Sequence, residues 1–293
     1  MQLIAYYISI PFIYLLLLIP FSFFYLLSDL VFVFLYYLVG YRRQVVRQNL
    51  KNAFPDKNEK ELKKISRKFY RYLCDLFLET FKTLTISKEA MLNHCRMNEE
   101  GIKLLQKYYD YKKSVILVLG HLGNWEWGGN TFSLQCRHPL FVIYHPLENK
   151  YFNKMVIGMR TRFGTKLIEM KNTFREMVKM KNKINATAFI ADQTPPPANA
   201  YWTTFLNQDT PVFKGTEVVA KKLNYPVVFI NVKKTKRGHY ELTAETLCEN
   251  PSSTSEGEIS ELHTKKLESE IIKNPETWLW SHRRWKHKRP MKN

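Results

Sequence analysis

A histidine and a glutamate lie five residues apart in a glycine-rich segment, Gly120-His-Leu-Gly-Asn-Trp-Glu-Trp-Gly-Gly129. Inside one helix this spacing would separate the two side chains by about 140°. They can meet if His121 lies on a turn and Glu126 lies in the first turn of the helix that follows. A carboxylate next to a histidine fixes its tautomer, so the other ring nitrogen can accept the proton of a hydroxyl that attacks an acyl carbon. The segment therefore indicates general-base chemistry on a hydroxyl, with His121 and Glu126 as the catalytic pair.

The residues on either side of this segment predict the elements that position it. Residues 114–119 form a continuous apolar run of strand length, which is typical of a parallel strand buried on both faces. Asn124 is a suitable cap for a helix that begins at Trp125, and the glycines permit a sharp turn between the two elements. The start of that helix would also present backbone N–H groups to a developing negative charge.

The rest of the chain alternates short apolar runs with helix-like stretches. Further strands are expected at 141–144, 166–168, 186–190 and 227–232, and helices at 57–85, 101–109, 127–134, 149–163, 172–180, 215–223 and 258–272. Such alternation is typical of an α/β fold, in which a mostly parallel sheet carries helices on both faces. The sequence contains neither G-x-x-x-x-G-K-S/T nor G-x-G-x-x-G, so no motif supports nucleotide binding.

The first 40 residues carry one formal side-chain charge, on Asp29, and are otherwise mainly apolar. A helix that spans a membrane needs about 20 such residues. We expect one spanning helix at 3–27, followed by a stretch at 30–39 that re-enters the membrane or lies in its interface. A hairpin of two spans is the alternative.

Four basic residues follow this segment directly: Arg42, Arg43, Arg47 and Lys51. Basic residues gather on the cytoplasmic side of a membrane helix. The pattern therefore predicts a membrane anchor over residues 1–40, which crosses the membrane once, and a domain on the cytoplasmic face over residues 41–293.

The charge balance favours acidic partners. The 45 lysines and arginines exceed the 26 acidic residues and give a net charge of +19. Such a surface suits anionic lipid head groups, nucleic acid or an acidic carrier protein. Because a membrane would be the nearer source of anions, we expect no nucleic-acid partner. The four cysteines show no metal-ligand spacing, so the sequence predicts no metal site and predicts free thiols in a reducing cytoplasm.

Motifs along almost the whole chain resemble those of the bacterial lipid A biosynthesis acyltransferases. These late acyltransferases, within the lysophospholipid acyltransferase superfamily, move an acyl chain from acyl carrier protein to a lipid hydroxyl. His121 and Glu126 match the family's H-x-x-x-x-D/E signature, with Gly123, Asn124 and Trp125 as found there. The other matching segments follow in the family's order: Tyr41-Arg-Arg-Gln-Val-Val-Arg-Gln-Asn-Leu50, Ala53-Phe-Pro55, Asn149, Arg160-Thr-Arg-Phe-Gly164, Ala191-Asp-Gln193, Phe205, Gly215-Thr216, Pro275-Glu-Thr-Trp-Leu-Trp-Ser-His-Arg-Arg284 and Lys286.

The resemblance implies a role for each candidate residue. His121 would be the general base and Glu126 its orienter. Arg162, or else Arg160, would steady the oxyanion or a phosphate of the acceptor. The substrate-binding set would be Asn124, Arg160, Arg162, Asp192 and Gln193. The resemblance also implies an acyl carrier protein as donor, a lipid A precursor as acceptor, no cofactor or metal, and a place in the cell inner membrane.

Other functions are compatible with the same residues. The acceptor could be a lysophospholipid or an aminolipid, since His145 stands where the family often has arginine and Pro195-Pro-Pro197 stiffens the following loop. A membrane-anchored basic binding module would work without His121. A hydrolase would use His121 to activate water, although no G-x-S-x-G motif supports a serine hydrolase. We expect Trp278, Trp280 and Trp285 to be core or interface aromatics.

Overall fold

Nine strands are present in the computed structural model, which describes residues 11, 15 and 17–290. They are β1 (Cys95–Met97), β2 (Val115–Leu119), β3 (Leu140–Tyr144), β4 (Lys166–Glu169), β5 (Ala186–Ile190), β6 (Ala200–Phe205), β7 (Gln208–Phe213), β8 (Val227–Lys236) and β9 (His239–Cys248). Seven of them form one sheet in the order β1-β9-β8-β2-β5-β3-β4, and β6 and β7 form a separate antiparallel pair. The five strands from β8 to β4 run parallel, whereas β9 is antiparallel to β8.

Helices fill most of the connections between these strands. They are α1 (Phe21–Val33), α2 (Arg43–Ala53), α3 (Glu59–Lys82), α4 (Lys88–His94), α5 (Glu99–Asp110), α6 (Trp125–Gln135), α7 (Lys150–Thr161), α8 (Thr173–Lys179), α9 (Gly215–Leu223) and α10 (Glu258–Lys273). The longest, α3, begins with a capping box, in which the Asn58 side chain accepts from the backbone of Glu61 while the Glu61 side chain accepts from the backbone of Asn58.

Alternate residues of the central strands point into two separate cores. Ile116 and Val118 of β2 belong to the core that includes α3 and α10, and Val115 and Leu117 belong to the core that includes α5 and α6. This is the two-residue period of a strand covered on both faces. The predicted α/β architecture, a mostly parallel sheet with helices on both faces, is therefore confirmed.

The β6–β7 hairpin and strand β9 were not predicted. The hairpin turn consists of Leu206 and Asn207, which both adopt positive φ, 50° and 61°. Tight hairpins usually place Asn-Gly or Asp-Gly at these positions, so this turn carries a weak sequence signal. Pro211 in β7 also weakens the strand signal, because proline within a sheet is found mainly in edge strands, where its missing N–H costs no hydrogen bond.

The N-terminal apolar segment differs from the expectation. Helix α1 continues without a break into a π-helical segment, Phe34–Val39, and ends at Gly40, whose φ is +65°. The expected boundary between residues 27 and 30 is therefore absent from this helix. By length and composition, Phe21–Val39 could cross a membrane. Residues 3–10, 12–14 and 16 of the predicted span at 3–27 lie outside the described residues.

Candidate active site

His121 and Asp192 meet because their strands are neighbours in the sheet. Strands β2 and β5 pair in parallel, and their last residues, Leu119 and Ile190, lie opposite each other. The turns that follow the two strands therefore leave the sheet side by side. The backbone N–H of His121 donates to Asp192 Oδ2 at 2.8 Å, and His121 Nδ1 lies 2.6 Å from Asp192 Oδ1. One carboxylate thus fixes both the backbone and the ring of the histidine.

Asp192 is an ionised carboxylate in a dry setting. Its side chain is only 3% exposed, and the indole Nε1 of Trp278 donates to Oδ2 at 2.8 Å. Burial by itself would raise the pKa of Asp192, but the charge of His121 and the hydrogen bonds from His121 and Trp278 lower that pKa to about 2. Because Asp192 carries no proton at neutral pH, it accepts the hydrogen bond from Nδ1–H of His121, and the Nε2 atom points away from this carboxylate.

The Nε2 side of the histidine is the open side. The His121 side chain is 14% exposed, and its ring packs edge-on against Trp125 with 4.8 Å between the ring centroids. The side-chain amide of Gln193 lies 3.3 Å from His121 Nε2 and donates to it. A bond of this length is weak, so an incoming hydroxyl can replace the amide. The structure brings both predicted strand-end residues, Asp192 and Gln193, to the histidine.

Glu126 does not take the position expected of it. Its two oxygens accept hydrogen bonds from Arg160, with Nε at 2.9 Å and Nη2 at 2.5 Å. Asp192 orients His121 instead, because strand pairing delivers Asp192 to the histidine, whereas Glu126 lies in the first turn of α6, which packs on α7. Burial by itself would lower the pKa of Arg160, but the pairing with Glu126 raises it. Glu126 and Arg160 thus form one bidentate ion pair beside the turn.

The other two predicted substrate-binding residues are engaged by the protein itself. Asn124 is fully buried, its Oδ1 accepts from the backbone of Trp127 at 2.9 Å, and its amide donates to Glu79 at 2.8 Å. The predicted cap is confirmed, but a contact between Asn124 and substrate is not compatible with this burial. Arg162 is exposed, and its Nη1 donates to the carbonyl of Thr83 at 2.6 Å, which attaches it to the end of α3.

A family model described as bacterial lipid A biosynthesis acyltransferase matches residues 1–287. The chain belongs to this family. The lipid A biosynthesis palmitoleoyltransferase of Escherichia coli is 25% identical over 247 residues, which are 84% of this chain and 79% of the relative. The lipid A biosynthesis acyltransferase of Shigella flexneri gives the same values. The lipid A biosynthesis lauroyltransferase of Escherichia coli is 22% identical, with the same coverage of each chain. The protein is thus an acyltransferase of lipid A biosynthesis.

A buried carboxyl group of this acyltransferase, on Glu79, was not found by sequence reasoning. It accepts hydrogen bonds from the hydroxyls of Tyr25 and Tyr240 and from the amide of Asn124, each at 2.8 Å. Burial, and secondarily the charge of Asp75, raises the pKa of Glu79. The available signal was a polar residue on the apolar face of a predicted helix, because Glu79 follows the buried Tyr72 by seven residues on α3.

The backbone of the turn is held from three directions. Gly123 has a φ of +60°, and a Cβ atom added there would lie 1.8 Å from the carbonyl oxygen of Val232, so only glycine fits. The Tyr72 hydroxyl donates to the carbonyl of Gly123 at 2.6 Å, and the N–H of Gly123 donates to the carbonyl of Thr277 at 3.0 Å. The acyltransferase therefore presents His121 on a preorganised turn.

The C-terminal segment packs against the site through Trp278. Trp278 and Trp280 are buried, 2% and 0% exposed, which places both in the core as expected. Trp278 has a further part that was not predicted, because its indole donates to Asp192. Arg284 is 1% exposed and donates to the carbonyl of Pro211 at 2.7 Å, and burial lowers the pKa of Arg284 to about 10. The resemblance placed these residues in a family motif but gave no sign of the bond between Trp278 and Asp192.

Proposed function

We propose that this acyltransferase moves a fatty acyl chain from the thioester of an acyl carrier protein to a hydroxyl of a lipid A precursor. The observation that carries the proposal is the setting of His121. Its Nδ1 is held by a buried, ionised carboxylate, and its Nε2 faces the open side of the turn. A histidine held in this way can take the proton of an attacking hydroxyl.

His121 Nε2 takes the proton of the acceptor hydroxyl while the hydroxyl oxygen attacks the carbonyl carbon of the thioester. The carbonyl electrons move onto oxygen and give a tetrahedral intermediate. When the intermediate collapses, the C–S bond breaks, and the imidazolium of His121 gives its proton to the leaving thiolate. Asp192 stabilises the imidazolium between the two steps without becoming protonated. The histidine ends as it began, so the cycle requires no cofactor, metal or covalent acyl-enzyme.

Positive charge near the turn would stabilise the oxyanion. Helix α6 begins at Trp125, directly beside His121, so its positive dipole end lies at the site. The Arg160 guanidinium lies beside the same helical turn, where it is paired with Glu126. We assign the predicted contact with the oxyanion or an acceptor phosphate to Arg160 rather than Arg162, because Arg162 donates to the Thr83 carbonyl.

An apolar cavity of about 40 Å³ between α6 and the sheet suits the start of an acyl chain. Trp125 lines this cavity and also packs on the ring of His121. A thioester carbonyl at His121 would therefore place its alkyl chain at the mouth of the cavity. The remaining lining is apolar: Leu117, Leu119, Gly128, Gly129, Phe132, Leu140, Val142, Ala188, Ile190, Ile230 and Val232.

The donor and the location are proposed from charge and chemistry. A net charge of +19 favours docking of an acidic carrier protein. Docking of this kind weakens as salt screens the charges, so transfer rates should fall as ionic strength rises. Rates that stay constant with salt would argue against the carrier protein as donor. The four free cysteines suit a domain on the cytoplasmic face of the inner membrane.

Mass spectrometry of lipids from cells that produce the wild type or His121→Ala tests the function. His287→Ala is the matched control, because it removes a half-buried histidine of the basic tail. We expect one additional acyl chain on a lipid A precursor with the wild type and the control, and its absence with His121→Ala at equal membrane levels.

Each other outcome of this experiment favours a different function. An added chain on a lysophospholipid or aminolipid would keep the chemistry and replace the acceptor. Free fatty acid without an acylated lipid would favour hydrolysis. A lipid profile that is unchanged by His121→Ala, in a host that supplies the acceptors, would contradict the role of this histidine.

A further inference from the structure

The helix Phe21–Val39 has two opposite faces. Phe24, Ser28, Phe32 and Tyr36 are buried against the protein, at four-residue steps along one face. Eight large apolar side chains of this helix are between 48% and 75% exposed, and six of them lie on the other face between residues 26 and 38: Leu26, Leu30, Val33, Phe34, Tyr37 and Leu38. We name these six residues the apolar face. A continuous exposed apolar surface of this length marks a contact with a membrane or with another protein.

Arginine side chains from other parts of the protein contact this helix at several points along its length. Arg237 donates to the carbonyl of Tyr25 at 3.1 Å and pairs with Asp29 at 2.9 Å. Further along, the guanidinium of Arg71 lies 5.1 Å from the centre of the Phe32 ring, and that of Arg43 lies 4.9 Å from the centre of the Tyr36 ring. From residue 25 to residue 36 the helix rises by about 16 Å.

A basic stripe runs along the neighbouring helix α3. It consists of Lys60, Lys63, Lys64, Arg67, Lys68 and Arg71, which repeat at three- and four-residue steps and are all exposed. These six side chains line a groove of about 480 Å³. Among the described residues, only Lys68 of the stripe has an acidic partner, Glu276 at 3.5 Å.

Two larger grooves join this stripe to the N-terminal helix. Asp29 of the helix lines a groove of about 530 Å³ together with Lys68 and Arg71. Tyr36 lines a groove of about 930 Å³ together with Lys60 and Lys63. The stripe and the N-terminal helix therefore border the same two grooves, and the stripe lies beside this helix.

We propose that the helix Phe21–Val39 lies in the plane of the membrane, with the apolar face in the acyl chains and the basic stripe on anionic phospholipid head groups. The hydrocarbon core of a bilayer is about 30 Å thick, which is close to the length of this helix. If the helix crossed the bilayer, cations spread over about 16 Å of its length could not all reach a head-group layer. In the plane, they all lie at head-group depth, which is the arrangement of interfacial helices.

The helix start provides the bend that this orientation needs. Pro20 precedes Phe21, and Phe24 N–H donates to the carbonyl of Pro20 at 3.0 Å. The Lys82 ammonium, which is 8% exposed, donates to the carbonyls of Leu17 and Ile19 just before the proline. The chain therefore bends just before Phe21, and Lys82 of α3 holds the two carbonyls on the other side of the bend.

Depth measurements on the full chain in vesicles of phosphatidylethanolamine and phosphatidylglycerol test the proposal. Leu26→Cys, Leu30→Cys, Val33→Cys and Leu38→Cys each carry one fluorophore, in a background with the half-buried Cys136 and Cys248 replaced by alanine. Quenchers at stepped positions along the lipid chains then report the depth of each label. We expect the same shallow depth at all four positions.

A helix that spans would contradict the proposal, because the labels at 26 and 38 would then differ in depth by up to about 18 Å. Labels that no lipid quencher reaches would also contradict it and would favour a protein partner on the apolar face. The depth measurements do not depend on acyl transfer. A failure of this proposal can therefore be distinguished from a failure of the proposed function in the lipid analysis.

The charge of the stripe has its own test. The triple variant Lys63→Glu/Lys64→Glu/Arg67→Glu should lower the ratio of helix in the membrane plane to helix away from it by about a hundredfold or more. Each cation near an anionic membrane surface contributes binding free energy, and each reversal replaces that attraction by repulsion. Arg175→Glu/Lys181→Glu/Lys183→Glu changes the net charge equally at exposed positions of another surface and should leave the depths unchanged. Equal effects of the two triple variants would contradict a role for the stripe.

Discussion

The two carboxylates beside His121 occupy different environments. Asp192 is 3% exposed, and its hydrogen bonds come from the backbone and ring of His121 and the indole of Trp278. Glu126 is 13% exposed and is paired with Arg160, which is itself 26% exposed. The first carboxylate is held by buried hydrogen bonds, whereas the second belongs to an ion pair that solvent can reach.

We propose that this difference gives the two carboxylates different tasks. A base needs a fixed tautomer and a stable imidazolium, and both require a partner that no substrate displaces. Recognition of an anion instead needs a guanidinium that can exchange one oxygen partner for another. The dry site therefore suits proton transfer, and the pair at the rim suits contact with an acceptor phosphate or the oxyanion.

The largest effect is expected for Asp192→Asn. Asparagine keeps the shape but cannot hold the Nδ1–H tautomer or stabilise the imidazolium, so kcat should fall by roughly 10³–10⁴ while KM changes little. Single-turnover transfer from acyl thioester to a lipid A precursor measures this. A loss below tenfold would remove Asp192 from the proton path.

Glu126→Gln should have a smaller effect, a loss of roughly 10–10² in kcat/KM that lies mainly in KM. The amide keeps one bond to Arg160 but loses the charge that positions the guanidinium. The double variant Glu126→Gln/Arg160→Gln should lose less kcat/KM than the product of the two single losses, because the two residues act as a pair. If Glu126→Gln matched Asp192→Asn in kcat, the division of tasks between the two carboxylates would fail.

Trp278→Phe should destabilise the protein by roughly 1.5–3 kcal/mol, because a hydrogen bond to a charged acceptor is lost. Trp285→Phe is the matched control. Its indole donates to the neutral hydroxyl of Thr210 at 2.7 Å, so its loss should cost about 0.5–1.5 kcal/mol. Thermal unfolding in detergent compares the two variants. A larger shift for Trp285→Phe would show that the bond to Asp192 contributes little.

Acid should remove the contribution of Asp192 in a narrow range. Its pKa in the folded protein, about 2, lies below the ordinary value of 3.8, so its stabilisation is present above pH 4 and is lost as the pH falls from 4 to 2. The shift corresponds to about 2 kcal/mol. Unfolding free energies of the wild type and Asp192→Asn should therefore converge over this range. A constant difference down to pH 2 would contradict the lowered pKa.

Local signals in the sequence predicted the strand, turn and helix that carry His121. The apolar run of β2, the glycines and the Asn124 cap all lie within 12 residues of the histidine, so no distant contact was needed. The sheet architecture also followed from local alternation of short strands and helices. The β6–β7 hairpin was not predicted, because its turn contains neither glycine nor aspartate.

The partner of the histidine could not be predicted in the same way. Asp192 lies 71 residues from His121, and Arg160 lies 34 residues from Glu126. Which carboxylate reaches the ring is decided by the order of strands in the sheet, which places β5 next to β2. Proximity in sequence favoured Glu126, and the resemblance supported it, but strand order brought Asp192 to the ring.

Glu79 has a consequence for attempts to shorten the protein. Helix α1 supplies the Tyr25 hydroxyl to Glu79 and the Ser28 hydroxyl to Asp75, which is 2% exposed. A soluble fragment that starts after Gly40 would lose both donors and leave two interior acids short of partners, at a cost of about 1–3 kcal/mol each. One of these acids holds Asn124 beneath the catalytic turn. A fragment that starts just before Pro20 would retain both hydroxyls, so the apolar helix belongs to the folded enzyme as much as to its membrane attachment.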